Sequence, residues 1–293
     1  MNEGTATRPL FDRLLAINAW VLYVFLYAPI FLLIFFSFNE NDNVGIWTQP
    51  SLRWYGEMLQ DERVIGALRN SLIVALISTL VSTVVGTMLA IALERYQFRG
   101  RGTLDGIAYL PIIIPDVTMA VMLLIFFFQA FGIINDAFGI RLTNGLLTIT
   151  LSHIAFSISF VAVVVRARLA QFDNALEEAA ADLYANRWQT FRKVTLPLIA
   201  PGVAGGALLA LTLSLDDVVV TQFVSGAGST TLPVYVFGLV RRGVTPLINA
   251  VSTVMLVASM VLVAVSLGFQ RGAEARSQRL SDPDALLEEI TAT

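Results

Sequence analysis

The chain has 293 residues, a net charge of −3, 56% hydrophobic residues and 14% charged residues. Its mean hydropathy of +0.72 is too high for a soluble domain and predicts an all-α polytopic membrane protein. Because there is no cysteine and one histidine, the sequence excludes disulfides, thiolate ligands and a multi-histidine metal site.

Six weakly charged stretches are long enough to cross a bilayer, which takes about 20 residues of helix. We predict spans at 14–38, 71–93, 106–131, 146–165, 202–223 and 247–269 within one transmembrane domain, 1–293. The first stretch is longer than the apolar core of a cleaved signal, about 7–15 residues, so we expect it to be retained.

Basic residues set the predicted orientation, because Lys and Arg accumulate on cytoplasmic segments. With both termini in the cytoplasm, about two thirds of the 19 basic residues lie inside, including those of the tail 270–293. For two of the external segments the sequence predicts a structure. Residues 51–70 show the pattern of an amphipathic helix, and 226–245 form a loop with a short helix.

The longest cytoplasmic connection is the loop 166–201, between spans four and five. Asn174 followed by Glu177 has the spacing of a capping box, which predicts a helix starting at Ala175. We expect a break at 184–186 and a second short helix from Arg187 to Val194. Two short helices joined by a turn would form a rigid protrusion that could bind in a cleft of a partner protein.

Acidic residues inside spans three and five are candidate site residues. Each Asp at a helix centre costs about 2.5–3.5 kcal/mol on insertion scales, so it needs a partner, water or a function. We predict that Asp116 and at least one of Asp216 and Asp217 line a translocation path. The alternative is that these carboxylates cap interrupted helices or hold subunits together.

Three other features of the spans have structural interpretations. A lone His153 is expected to hydrogen-bond a neighbouring helix rather than relay protons. Pro111 and Pro115 predict a kink or break near Asp116. Small residues at the start of span five, Gly202, Gly205 and Gly206, permit close helix approach.

The loop residues also carry a family resemblance. Glu178-Ala179-Ala180, Asp182-Leu183, Leu196-Pro197 and Pro201 resemble the EAA loop of binding-protein-dependent ABC permeases. Further motifs across most of the chain are similar to the second permease subunit of spermidine/putrescine importers: Arg53-Trp54-Tyr55, Pro115-Asp116-Val117, 214–220, 223–226, 231–233, 243–246 and Asn249-Ala250. Tyr184 departs from the family, which has glycine there.

The resemblance implies the function and partners. It implies a multi-pass bacterial inner-membrane permease that imports polyamines by alternating access. The implied partners are a second, related permease, two ATP-binding subunits carrying ATP and Mg²⁺, and an external solute-binding protein, with no nucleic acid. The residues it implies for ATPase coupling are Glu177, Glu178, Ala179, Ala180, Asp182, Leu183, Leu196 and Pro197.

The chain itself is not expected to be an enzyme or to bind a cofactor or metal. It has one lysine, Lys193, and no GxxxxGK[ST] pattern, so it lacks an ATP-binding P-loop. Three alternatives stay open: the same architecture importing another small solute, an ion-coupled secondary transporter that uses the aspartates and His153, and a membrane scaffold.

Overall fold

The computed structural model describes residues 9–139, 141–243 and 245–281, and within these ranges the fold is helical without a strand. The helices are α1 (Pro9–Ser37), α2 (Arg53–Gln60), α3 (Glu62–Arg95), α4 (Arg101–Ile113), α5 (Asp116–Phe138), α6 (Leu146–Leu169), α7 (Ala175–Asp182), α8 (Arg187–Thr190), α9 (Leu196–Asp216), α10 (Val219–Val224), α11 (Leu232–Arg242) and α12 (Pro246–Ser281). A π-helical turn, Phe191–Thr195, joins α8 to α9.

Six helical segments are long and apolar enough to cross a membrane, which confirms the predicted fold class. They are Asp12–Ser37, Glu62–Arg95, Asp116–Phe138, Leu146–Leu169, Arg187–Asp216 and Pro246–Val265. The chain divides into two compact units, one made of residues 1–62 with 238–257 and the other of 63–237 with 258–293. The predicted tail 270–293 lies outside the described residues from 282 onward.

In the smaller unit, α2 is tied to the segment that follows α1. The Trp54 indole donates to the Asn39 carbonyl (2.9 Å), and the Ser37 and Tyr55 hydroxyls are 2.7 Å apart. Trp54 and Met58 are buried on one face of α2, so this helix is amphipathic as predicted. The predicted amphipathic segment 51–70 is too long, however, because the extended Asp61 separates α2 from the span α3.

In the larger unit, α6 is the central helix, with buried side chains in two apolar clusters. The first cluster joins α3, α6 and α9 through Ala90, Val161, Ala162, Val165, Leu169, Ile199 and Ala210. The second joins α3, α5, α6 and α10 through Val74, Ala120, Phe127, Ile149, Val220 and Val224. Together, the two clusters hold α3, α5, α9 and α10 against α6.

Glycines allow α6 to approach its neighbours closely. A methyl group added at Gly86 of α3 would lie 2.8 Å from Val161 Cβ, and one at Gly202 of α9 would lie 2.8 Å from Arg168 Cβ. A methyl group at Gly206 would come within 3.2 Å of Val161 Cγ1. The predicted close approach at Gly202 and Gly206 is therefore confirmed.

Two predicted spans have wrong boundaries, because each crosses a helix break. The third, 106–131, covers the end of α4, the non-helical Ile114–Pro115 and the start of α5. Ile114 is extended (ψ 132°), as a residue before proline prefers to be. The break is the one predicted at Pro115, whereas Pro111 lies inside α4 without ending it.

The fifth predicted span, 202–223, begins too late and ends too late. The helix α9 already starts at Leu196 and includes Pro201, and it ends at Asp216. The second short helix expected at 187–194 does begin at Arg187, but it does not end at Val194, because α8 passes through the π-helical turn directly into α9. A proline at 197 removes one backbone donor, and widening the preceding turn accommodates it.

Candidate functional site

The two breaks in the larger unit meet at one cavity. Its volume is about 270 Å³, and it lies where Pro115–Asp116 starts α5 and where Asp217–Val218 separates α9 from α10. The residues that line it are Pro111, Asp116, Met119, Phe156, Phe160, Thr212, Leu213, Asp216, Asp217, Val218, Val219 and Val220. The three predicted carboxylates are thus brought to one site, and none of the described lining residues is basic.

Asp217 caps the short helix α10. Its Oδ1 accepts from the backbone N–H of Val220 (3.2 Å) and its Oδ2 from that of Thr221 (2.7 Å). Both oxygens therefore satisfy amide groups that an isolated helix start leaves without partners. With its side chain 12% exposed, Asp217 fits the capping role that the sequence left open as an alternative.

Asp116 and Asp216 differ from Asp217 in their environment. Both side chains are exposed, and within the described ranges neither has a hydrogen-bond or ion-pair partner. Asp116 is the first residue of α5, so its carboxylate lies at the positive end of that helix dipole. The helix begins at this residue, directly after the break that was predicted at Pro115.

His153 hydrogen-bonds two neighbouring helices, which confirms that prediction. The ring is fully buried on α6, with Nδ1 2.7 Å from Ser214 Oγ and Nε2 2.9 Å from Thr221 Oγ1. Nε2 also lies 3.3 Å from Asp217 Oδ2. His153 therefore connects α6 to both sides of the break between α9 and α10.

The hydroxyl partners of His153 were not found from the sequence. Ser78 of α3 donates to Ser214 Oγ (3.1 Å), and both serines are buried. Serine and threonine are frequent in membrane helices, so their type alone does not distinguish these positions. The one available signal was that a buried histidine needs partners for both ring nitrogens.

A second group of side chains anchors the loop 166–201 to the bundle. Glu177 accepts hydrogen bonds from Arg95 at the end of α3 and from the Thr195 hydroxyl in the π-helical turn. The Arg95 guanidinium also lies 4.7 Å from the centre of the Phe172 ring. The predicted capping box at Asn174 is wrong, because Asn174 makes no side-chain cap and Glu177 faces inward.

The cap that replaces it comes from Asp173, whose Oδ1 accepts from Ala175 N–H (2.9 Å). A capping box does occur at the start of α8. There the Asn186 side chain accepts from Gln189 N–H (2.8 Å), and Gln189 Oε1 accepts from Asn186 N–H (2.9 Å). Helix α7 still begins at the predicted Ala175.

Tyr184 takes the conformation for which the similar family uses glycine. Its φ is 59°, in the left-handed region. The N–H of Ala185 donates to Ala180 O (3.0 Å) and that of Tyr184 to Ala181 O (2.9 Å), the two bonds of a Schellman motif. The turn that ends α7 is therefore retained despite the tyrosine, with Tyr184 97% exposed.

The other residues predicted for ATPase coupling differ in their exposure to solvent. Glu178, Ala179, Asp182, Leu183 and Pro197 are exposed, Ala180 is half-buried, and Leu196 packs against the first apolar cluster. Leu183 is 82% exposed. The loop thus has an inner side fixed to the bundle and an outer side without a described partner.

A bundle of apolar helices, interrupted at a carboxylate-lined cavity and carrying an anchored helical loop, defines a membrane transport subunit. Comparison with known proteins gives the particular family. The profile of the family described as binding-protein-dependent transport system inner membrane component matches residues 82–279. The chain belongs to this family.

Its relatives cover most of the chain. It is 41% identical to the putrescine transport system permease protein PotI of Escherichia coli (strain K12), over 89% of this chain and 91% of that protein. It is 40% identical to the spermidine/putrescine transport system permease protein PotC of Haemophilus influenzae, over 84% of this chain and 92% of that protein.

Solved structures show the same fold at lower identity. A bacterial ABC transporter involved in import of the acidic polysaccharide alginate superposes with a TM-score of 0.70 at 22% identity, covering 93% of this chain and 96% of the other. The MetNI methionine ABC transporter gives a TM-score of 0.57 at 18% identity, covering 76% and 99%.

Proposed function

We propose that this chain is a permease subunit of an ATP-driven importer that carries polyamines across the bacterial inner membrane. An external solute-binding protein delivers the solute, a second related permease completes the path, and two ATP-binding subunits supply the energy with their own ATP and Mg²⁺. The relatives named for putrescine and spermidine/putrescine support the choice of solute.

The observation that carries the proposal is a single cavity lined by three carboxylates, two of which have no hydrogen-bond or ion-pair partner among the described residues. A polyamine has ammonium groups separated by methylene chains. Asp116 and Asp216 supply acceptors for charge-assisted hydrogen bonds to such groups. The cavity walls include Phe156 and Phe160, which suit both methylene contact and cation–π contact.

The size and charge of the cavity agree with this solute class. A volume of about 270 Å³ is just below the usual range of small-molecule sites, about 300–1,000 Å³, and fits a narrow linear molecule. Carboxylates without partners inside a membrane protein are costly, and a bound cation offsets that cost.

The outer side of the loop supports docking of an ATPase. Glu178, Asp182 and Leu183 are exposed on α7 and its end, and the nearby Trp188 is 65% exposed. Apolar side chains exposed beside charged ones are typical of a protein interface. In this proposal the loop faces the cytoplasm, as do both termini, because basic residues predominate there.

Uptake of labelled putrescine and spermidine into proteoliposomes tests the proposal, using the whole complex with its binding protein and ATP. We expect Asp116→Asn and Asp216→Asn each to lower uptake about tenfold, since each removes a charged hydrogen-bond acceptor. Asp136→Asn, an exposed carboxylate on the same α5 but outside this cavity, is the matched control and should transport normally.

Three results would each contradict a part of the proposal. Normal polyamine uptake by both cavity variants would remove Asp116 and Asp216 from the path. Uptake that continues without ATP and follows an ion gradient would favour a secondary transporter. Wild-type transport of another solute, with no polyamine transport, would keep the architecture and change the substrate.

A further inference from the structure

His153 lies behind the cavity and does not line it. Its fully buried ring sits on α6, the helix that contacts both apolar clusters. Through Ser214 it is joined to α9, and through Thr221 and Asp217 to the start of α10. A single side chain thus bridges the break that carries two of the three carboxylates.

The hydroxyl groups around His153 can be arranged so that each ring nitrogen has a partner. Ser78 Oγ lies within donating distance of the Ala75 carbonyl (3.2 Å) and of Ser214 Oγ (3.1 Å), and when it donates to Ser214 the Ser214 hydroxyl hydrogen is left for His153 Nδ1. At the other end, the Asp217 carboxylate only accepts, and its Oδ2 lies 3.3 Å from His153 Nε2. A ring with its hydrogen on Nε2 satisfies both nitrogens, since Nε2–H then has Thr221 Oγ1 (2.9 Å) and Asp217 Oδ2 as acceptors and Nδ1 accepts from Ser214.

We propose that His153, with its hydrogen on Nε2, is a positioning residue for the cavity. It holds Asp217 as the cap of α10 and thereby keeps the adjacent Asp216 carboxylate turned into the cavity. The inference rests on the proposed function only for the statement that the cavity carries the solute.

The reason is geometric. Adjacent residues on a helix point about 100° apart, so the direction of Asp216, the last residue of α9, depends on the backbone at the extended Asp217 that follows it. The helical hydrogen bonds resume beyond the break with Gln222 N–H to the Val218 carbonyl (3.0 Å), on the far side of Asp217 from Asp216. The contacts of Asp217 with Val220 N–H, Thr221 N–H and His153 supply the restraint instead.

The first test is spectroscopic, because His153 is the one histidine of the chain. In the intact complex labelled with ¹⁵N-histidine, its ring signals are those that disappear in His153→Gln. We expect a protonated Nε2 and an unprotonated Nδ1, and a shift of the Nε2 signal in Asp217→Asn. A hydrogen on Nδ1 with a bare Nε2, or no response to Asp217→Asn, would overturn the proposal.

The second test measures solute transported per ATP hydrolysed in proteoliposomes. His153→Phe retains a ring but no donor or acceptor, and we expect about a tenfold loss, the usual cost of a lost hydrogen bond to a charged group. His153→Gln keeps a donor and should recover part of the ratio. Ser157→Ala is the control, since this buried α6 hydroxyl has no hydrogen-bond partner in the part of the chain that the structure describes.

A wild-type ratio in His153→Phe would overturn the positioning role. If that variant does not assemble, the Nε2 response to Asp217→Asn decides instead. If the wild type transports no polyamine but the Nε2 shift is present, the proposed function fails while the link between His153 and Asp217 stands.

Discussion

Glu177 and Glu178 are adjacent on α7 but have different surroundings. Glu177 is partly buried and bonded to Arg95 and Thr195, whereas Glu178 is exposed. The Arg95 and Glu177 side chains are 20% and 26% exposed, so their charges are poorly screened. Glu177 thus fixes the loop to α3, and Glu178 is left for a partner.

Replacing each glutamate by alanine separates these roles. We expect Glu177→Ala to lower the free energy of unfolding by about 1–2 kcal/mol, because it leaves the Arg95 charge without its partner. Glu178→Ala should leave that free energy unchanged and weaken binding of the ATP-binding subunits. Thermal unfolding and subunit association of the purified complex measure both effects, and equal stability losses would contradict the assignment.

The chemistry of these residues was predictable from the sequence only in part. The three aspartates could be identified because an acidic residue in an apolar span is costly. Which aspartate caps a helix and which two are exposed in the cavity was not predictable, since the capping role of Asp217 depends on where α9 ends. The direction of Glu177 depends on Arg95, which is distant in the sequence and meets it only in the folded bundle.

Helix α6 is held by close crossings with α3 and α9. Gly86 of α3 meets Val161, which lies in the first apolar cluster and also faces Gly206 of α9. Without a driving force from water, packing at such small residues is a main source of helix association in lipid. The position of His153 within the bundle depends on these crossings.

Gly86→Ala tests the crossing, with Gly66→Ala of the same helix as its control. An added Cβ at Gly86 would lie 2.8 Å from Val161 Cβ and 2.9 Å from the Ile158 carbonyl, whereas nothing lies within 4 Å at Gly66. We expect a loss of about 1–3 kcal/mol for Gly86→Ala from overpacking. Thermal unfolding should show no loss for Gly66→Ala, and equal behaviour of the two variants would refute the crossing.

The number of spans followed from hydropathy, but their ends did not. Pro115 gave a local signal for the break before α5, because proline disfavours helix at the preceding residue. No proline or glycine marks the break at Asp217, where the carboxylate stabilises the new helix start. The continuity of α8 with α9 through a π-helical turn also lacked a local signal.

At the level of the whole molecule, helix α3 connects the cavity in the bundle to the anchored loop. The loop contacts α3 through Arg95, and α3 also carries Ser78, which starts the hydrogen-bond chain to His153. The break in the bundle and the anchored loop therefore share one helix. ATP-driven coupling through this loop requires that it lie in the cytoplasm.

Cysteine labelling measures the side of the membrane on which the loop lies, and the chain contains no native cysteine to interfere. The matched variants are Glu178→Cys on α7 and Asp42→Cys in the connection between α1 and α2, which is external when the amino terminus is in the cytoplasm. A membrane-impermeant maleimide added to intact spheroplasts should label Asp42→Cys but not Glu178→Cys, with the reverse in inverted vesicles. Labelling of Glu178→Cys in intact spheroplasts would contradict coupling to a cytoplasmic ATPase.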